Sequence, residues 1–193
     1  MSAPRALGAP EERLGIRWHG RGGQGAFTAA RLLGAAAVCA GQFALAFPSF
    51  GPERRGAPVL AFTRLDKGRI GDRSALRVCD FAVVLDETLV DGQVAAGIRR
   101  GGALLINSSR PASTWAALGP RVLTVDGTAI ALEILKRPLV NAALLGALLA
   151  AADLVPIDSA VQAIETEMRP QLAALNVQVL RCAHHQVQEQ LRA

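Results

Sequence analysis

The sequence predicts an α/β fold, an open and mostly parallel sheet flanked by helices, with a helical C-terminal part. Three observations predict it. Near the start, an apolar strand runs into a glycine turn and then into a small-residue helix. Further on, Phe81–Leu85 and Ala103–Asn107 are continuous apolar runs, the pattern of parallel strands buried on both faces. From Thr128 onward the apolar residues recur at helical spacing. Strand and helix signals that alternate in this way belong to an open α/β sheet.

Taken in order, residues 1–14 carry Pro4, Pro10, Glu11 and Glu12 without an apolar run, so they read as a mobile tail and not as a signal peptide. Residues 15–193 read as one domain. Gly15–His19 is the first strand. Gly20-Arg21-Gly22-Gly23-Gln24-Gly25 follows, and a helix is expected over Ala26 to about Ala40, with Phe27, Ala30, Gly34, Ala37 and Gly41 forming a small-residue face. The glycines allow a sharp turn and leave N–H groups at the helix start open to an anion or a carbonyl. Gly20, Gly22 and Gly25 satisfy G-x-G-x-x-G and make the unit Rossmann-like, but the next strand, Phe43–Phe47, is followed by Pro48 and offers no acidic residue for a ribose.

Gly51-Pro52-Glu53-Arg54-Arg55-Gly56-Ala57-Pro58 is too rich in proline and glycine for a helix interior. Phe47, Phe50 and Val59–Phe62 bracket it with apolar anchors. A stiff cationic loop pinned at both ends suits an anion or a partner chain. Val59–Arg64 is the next strand and Lys67-Gly68-Arg69 a basic turn. A helix is expected over Glu87–Ile98, stopped by Gly101–Gly102, and Arg121–Val125 is a further strand. Pro138 divides the helical part. Ser159 with Gln162 reads as a capping box ahead of a face made by Val161, Ile164 and Met168. Leu172, Leu175, Val179, Cys182 and Val187 make the face of the last helix.

Composition narrows the function. Hydrophobic residues are 51% and charged residues 19%, as in a folded protein of 193 residues with a core of its own. Of the 21 basic residues 19 are arginine, and the net charge is +5. Between Arg54 and Arg77 lie Arg54, Arg55, Arg64, Lys67, Arg69, Arg73 and Arg77 against Asp66 and Asp72 alone. No aromatic residues alternate with these cations as in a single-strand platform, so a specific anion or an acidic partner is expected and no nucleic acid. Cys39, Cys79 and Cys182 share no ligand spacing, so no metal site is expected, and so sparse a set suits a cytoplasmic protein. The longest apolar run, Leu139–Ala152, contains Asn141 and is too short for a membrane span. His19, beside the glycine turn, has no nucleophile paired with it and reads as a structural hydrogen-bonder; His184 and His185 read as a solvated face. Asp86 and Glu87 read as helix-start carboxylates, and Asn141 as a satisfied buried amide. No catalytic residue stands out in the chain.

Ile16-Arg17-Trp18-His19-Gly20-Arg21-Gly22-Gly23-Gln24-Gly25 and Ala46-Phe47-Pro48-Ser49-Phe50-Gly51-Pro52-Glu53-Arg54-Arg55-Gly56-Ala57-Pro58-Val59 resemble the gamma subunit of the 2-oxoacid:ferredoxin oxidoreductases. The likeness continues through Val125-Asp126, Ala131-Leu132-Glu133 and Arg137-Pro138-Leu139-Val140-Asn141. It implies a subunit of an enzyme that converts a 2-oxoacid and coenzyme A to acyl-CoA and carbon dioxide. The electrons pass to ferredoxin or, through a flavin (FAD) subunit, to NAD. It implies thiamine diphosphate, magnesium and 4Fe–4S clusters in the alpha, beta and delta subunits, none of them held by this chain alone. The family's substrates include pyruvate, 2-oxoglutarate, branched-chain, indole-type and aryl 2-oxoacids, and pyruvate is the common one. For this chain it implies that Gly22, Gly23, Gln24, Gly25, Arg54 and Arg55, with Phe50, Gly51, Pro52 and Glu53, form a coenzyme A approach or a subunit interface. The other class left open is a stand-alone Rossmann-like nucleotide-binding protein.

Overall fold

The computed structural model describes residues 13–49 and 56–192. The tail through residue 12 and the segment Phe50–Arg55, which holds the predicted site residues Phe50, Gly51, Pro52, Glu53, Arg54 and Arg55, lie outside the described residues. Six strands form one sheet in the order β2-β3-β1-β4-β5-β6. They are β1 (Leu14–Arg21), β2 (Phe43–Pro48), β3 (Pro58–Asp66), β4 (Cys79–Val84), β5 (Ile98–Asn107) and β6 (Arg121–Val125). The ladders β1–β4, β4–β5 and β5–β6 are parallel, and β3 lies antiparallel between β1 and β2. The sheet is therefore mostly parallel, as expected, with an antiparallel edge that the alternation of elements did not announce. Among the described helices none is long and apolar enough to cross a membrane.

One face of the sheet carries α1 (Ala26–Cys39), α3 (Gly127–Leu135), α4 (Asn141–Ala151), α5 (Ile157–Glu167) and α6 (Pro170–Arg192). Ile16, Trp18, Ala61, Leu65, Phe81, Val83 and Leu105 pack into this helical layer. Trp18 Nε1 donates to Thr63 Oγ1 at 3.0 Å and Thr63 Oγ1 donates to the carbonyl of Ala30 at 3.0 Å, tying β1, β3 and α1 together without leaving a buried polar group unpaired. The layer is thin because its residues are small. A Cβ on Gly146 would lie 2.1 Å from the carbonyl oxygen of Leu180, so α4 and α6 touch backbone to backbone there.

Several elements differ from expectation. Glu87–Ile98 is not one helix but a 3-10 turn (Glu87–Leu89), a five-residue α2 (Gly92–Ala96) and the start of β5. Asp91 caps α2 through Val94 N–H at 2.8 Å, and Gly97 ends it. Gly101 and Gly102 do not stop a helix: they sit within β5, where Gly101 has φ +88° and a Cβ on Gly102 would meet the Asp80 carbonyl at 2.2 Å. Glycine inside a strand marks an irregularity, and the β4–β5 register shifts here. Ser159 is no N-cap; α5 starts at Ile157 after Pro156, and no side chain caps it. In α6 the buried face is Ala173, Asn176, Val179, Leu180, Ala183 and Val187, whereas Leu172, Leu175 and Cys182 are exposed. Val179 and Val187 lie on the buried face as expected, and Leu180, whose backbone meets Gly146, stands on it with Ala173, Asn176 and Ala183. Phe27 of α1 is also exposed, and Gly41 lies beyond the helix.

On the opposite face, Cys79, Ala82, Val84, Leu104 and Ile106 pack against Val94 of α2 and Trp115 of a second 3-10 turn (Ala112–Leu118). Arg17 and His19 project to this face and are buried. Arg17 Nε donates to His19 Nε2 at 2.9 Å, and its other nitrogens donate to the carbonyls of Val94 (2.8 Å) and Arg77 (3.2 Å). His19 is thus the structural hydrogen-bonder expected of it, and it accepts only while neutral. Burial, with the Arg17 charge adding to it and Asp91 opposing, lowers its pKa from 6.5 to about 4.

Two predictions follow from this packing. Gly146→Ala should cost about 1–3 kcal/mol or more in urea unfolding, because neither backbone can retreat; an unchanged midpoint would place the helices farther apart. The unfolded chain protonates His19 below 6.5 and the folded chain only near 4. Its contribution is therefore complete above pH 6.5 and is lost as pH falls toward 4, by up to roughly 3 kcal/mol. Unfolding measured at pH 7 and pH 4 should show a pH dependence smaller by that amount in His19→Gln, and equal slopes would refute the account.

Candidate functional site

The candidate site lies at the carboxyl ends of β1 and β4. From β1 the chain crosses through α1 to the β2–β3 side, while β4 and the later strands extend on the other side. This is the switch point of the sheet, where open α/β folds place ligands. β1 delivers Arg21 and the turn Gly22–Gly25 to that edge, and β4 delivers Asp86.

Asp86 joins the two strand ends. Its Oδ2 accepts from Arg21 Nε at 2.9 Å and Gln24 Nε2 at 3.1 Å. Its Oδ1 accepts from the backbone N–H and Oγ1 of Thr88 at 3.0 and 2.6 Å, so it also caps the 3-10 turn, as its position beside Glu87 led us to expect. Arg21 Nη2 in turn donates to Thr88 Oγ1 at 2.8 Å. Burial alone would raise the Asp86 pKa, but the hydrogen bonds from Thr88, Gln24 and Arg21 outweigh it and hold the carboxyl below its ordinary value.

The same cluster shapes the glycine turn. Gln24 Oε1 accepts from the Arg21 N–H at 2.7 Å, closing the turn on itself. Gly23 and Gly25 have φ of +96° and +84°, a region open to glycine at little cost. A Cβ on Gly25 would also lie 3.0 Å from Asn141 Nδ2. Asn141 is buried, as expected, and its Oδ1 accepts from Ala142 N–H at 2.9 Å, so the oxygen of the amide is satisfied. Gly25 caps α1, no acidic residue stands in the first turn, and among the described residues no side chain bonds the first N–H groups of this helix, which face outward.

A cavity of about 540 Å³ opens there, lined by Gly22, Gly23, Gly25, Phe27, Thr28 and Pro48 among others. The flanks of the arginine segment are fixed at its rim. Ser49 N–H donates to Leu60 O at 2.8 Å, Gly22 N–H to Ala57 O at 2.9 Å and Gly56 N–H to Gly22 O at 3.2 Å. Arg21 Nη1 adds a bond to Gly56 O at 3.2 Å. The sequence-predicted Gly22, Gly23, Gln24 and Gly25 are therefore brought together, and residues 50–55 connect two anchors beside them.

Asp86 and Thr88 are the residues that reading the sequence missed as part of this site; the available signal was a carboxylate directly after a buried strand, at the carboxyl edge. Farther along that edge Asn107 Nδ2 donates to Leu85 O (3.0 Å) and Thr128 Oγ1 (2.9 Å), and Glu87 holds Ser108 and Arg110. Among the described residues no three His, Cys, Asp or Glu side chains gather as a metal centre. Outward N–H groups at a helix start suit an anion.

Residues 15–186 match the family described as pyruvate ferredoxin/flavodoxin oxidoreductase. A pyruvate synthase subunit PorC of Methanothermobacter marburgensis is 43% identical over 89% of this chain and 96% of that relative. The common gamma subunit of the pyruvate/ketoisovalerate oxidoreductases of Thermococcus litoralis is 42% identical over 86% of this chain and 92% of the relative. The crystal structure of pyruvate oxidoreductase subunit PORC from Thermotoga maritima superposes with a TM-score of 0.80 at 36% identity, covering 90% of this chain and 96% of that one. The chain thus belongs to the pyruvate ferredoxin/flavodoxin oxidoreductase family, as a gamma subunit of the 2-oxoacid:ferredoxin oxidoreductase type.

Proposed function

We propose that this subunit works within a complex that oxidatively decarboxylates a 2-oxoacid, pyruvate in the first instance, with coenzyme A, and that its own part is to form the coenzyme A approach and to hold subunits together. The electrons leave to ferredoxin or, through a flavin subunit, to NAD. Thiamine diphosphate, magnesium and 4Fe–4S clusters, which supply the decarboxylation and electron-transfer chemistry, are assigned to the alpha, beta and delta subunits.

The observation that supports the coenzyme A role is the uncapped start of α1, opening into a cavity whose rim anchors the arginine segment. Coenzyme A carries phosphates. Outward N–H groups of Gly25–Thr28 suit one of them, and Arg54 and Arg55 suit bidentate pairing, with Glu53 orienting them. Arg21, held by Asp86, keeps the rim in place. The chain orients and binds, and it moves no proton.

Anoxic purification of the tagged protein from its source should bring down thiamine- and iron-bearing subunits with coenzyme A-dependent reduction of a viologen dye by pyruvate. Recovery of the chain alone would leave the nucleotide-binding alternative. In that complex Arg54→Ala and Arg55→Ala should each raise the coenzyme A KM roughly ten- to hundredfold, as expected for a lost charge-assisted bond, with kcat little changed. Normal KM with failed assembly would assign the loop to an interface. Asp86→Asn should also raise the coenzyme A KM and lower stability by about 1–2 kcal/mol in thermal unfolding, since Arg21 and Gln24 lose their common acceptor. An unchanged KM would detach Asp86 from the approach.

A further inference from the structure

We propose that the uncovered face of the β2–β3–β1 half of the sheet docks an acidic segment of a partner protein chain, with an apolar residue of that segment entering the groove above Arg17. This rests on the chain being a subunit, and not on the coenzyme A reading. The helical layer covers one face of this half. On the other, the packed apolar residues amount, among the described residues, to Phe47, Phe62 and Leu76, with Leu45 and Leu60 half-buried beside them, and no described helix crosses. Residues 67–78 form a strap over it instead.

Two buried arginines fasten the strap. Arg64 of β3 reaches Ser74 O at 2.7 Å and Asp72 at 3.0 Å, and Arg17 of β1 reaches Arg77 O at 3.2 Å. Outward, the strap presents Lys67, Arg69, Arg73 and Arg77, all exposed. Among the described residues no carboxylate lies within ion-pair distance of any of them, and the two acids of the stretch are engaged elsewhere, Asp66 by Arg13 and Asp72 by Arg64. Beside the strap is a groove of about 570 Å³, walled by Leu60, Phe62, Leu76 and Leu89, with Arg17 and His19 on its floor and Arg77 at its side; Asp91 is the one carboxylate of its lining and caps α2.

Pinning the strap holds Lys67, Arg69, Arg73 and Arg77 outward before any partner arrives, which lowers the ordering cost of binding, and Arg77 stands at the groove itself. Exposed cations on a strap that borders an apolar groove complement a segment whose carboxylates accompany an apolar side chain. The strap has no aromatic residue on which a base could stack, which favours a protein over a nucleic acid.

The chain has two lysines, Lys67 and Lys136, so a zero-length carbodiimide cross-link reports on this face directly. In the purified native complex Lys67 should join an Asp or Glu of a different subunit. The variant Lys67→Glu/Arg69→Glu/Arg73→Glu, mixed with the remaining subunits, should associate at least tenfold more slowly at low ionic strength. The difference should close as salt rises, and Tm should be unchanged because all three side chains are exposed. A Lys67 that is unlinked or linked only to another copy of this chain, a variant that assembles at the normal rate, or a variant whose loss is of RNA binding would each overturn the proposal. The wild-type cross-link decides the matter even if the variant misfolds.

Discussion

The Arg21–Asp86 pair is the constraint on which the carboxyl edge depends. At 2.9 Å, with the side chains 34% and 19% exposed, it is neither a solvated surface pair nor a buried one. Its value lies less in Coulomb energy, which is modest in such surroundings, than in what else each partner holds. Asp86 shares its oxygens among Arg21, Gln24 and Thr88, and Arg21 divides its nitrogens among Asp86, Thr88 and Gly56. Three chain segments far apart in sequence, at Arg21–Gln24, Gly56 and Asp86–Thr88, are fixed through one pair. Without it the glycine turn would have no reason to keep its N–H groups aimed at the cavity, because Gly23 and Gly25 impose no conformation by themselves.

That edge is presented by a body built unusually close. The core relies on alanine, leucine and valine, with aromatics at 4%. Ridges of small side chains bring helices near enough for Gly146 to meet the Leu180 backbone, and α4 is buried on nearly all sides. A rigid support of this kind matters to a binding edge, since a displacement of the α1 start would move every N–H group with it. Asn141 makes the link explicit: it opens α4 and at the same time backs Gly25.

Much of this was legible in the sequence, and the failures share a cause. All six strands were readable in part; β4 and β5 from Ala103 were the plainest, because buried parallel strands are continuous apolar runs bounded by turn residues. The glycine turn was readable because its residues are adjacent. Asp86 was not, since its partner lies 65 positions away and only the β1–β4 pairing brings them together. The same holds for the β5 glycines, which look like a helix stop until the Asp80 carbonyl is seen against Gly102. In α6 Val179 and Val187 of the expected stripe are buried, but Ala173, Asn176, Leu180 and Ala183 take the places given to Leu172, Leu175 and Cys182, because alanine and asparagine carry little apolar signal in a sequence.

The arginine content changes meaning in the same light. A surplus of basic residues reads at first as a polyanion surface, yet Arg17 and Arg64 are buried and act as structural ties. One guanidinium offers five N–H donors in a fixed plane, so Arg17 can join its own strand, α2 and the strap at once. Lysine, with a single flexible ammonium, could not span those acceptors. His19 completes the arrangement as a neutral acceptor where a carboxylate would be the commoner choice. A carboxylate at that position would cancel the Arg17 charge, whereas a neutral imidazole leaves it on the floor of the groove. The buried arginines therefore do two things with one feature: they close the uncovered face with a strap, and they keep that face positive.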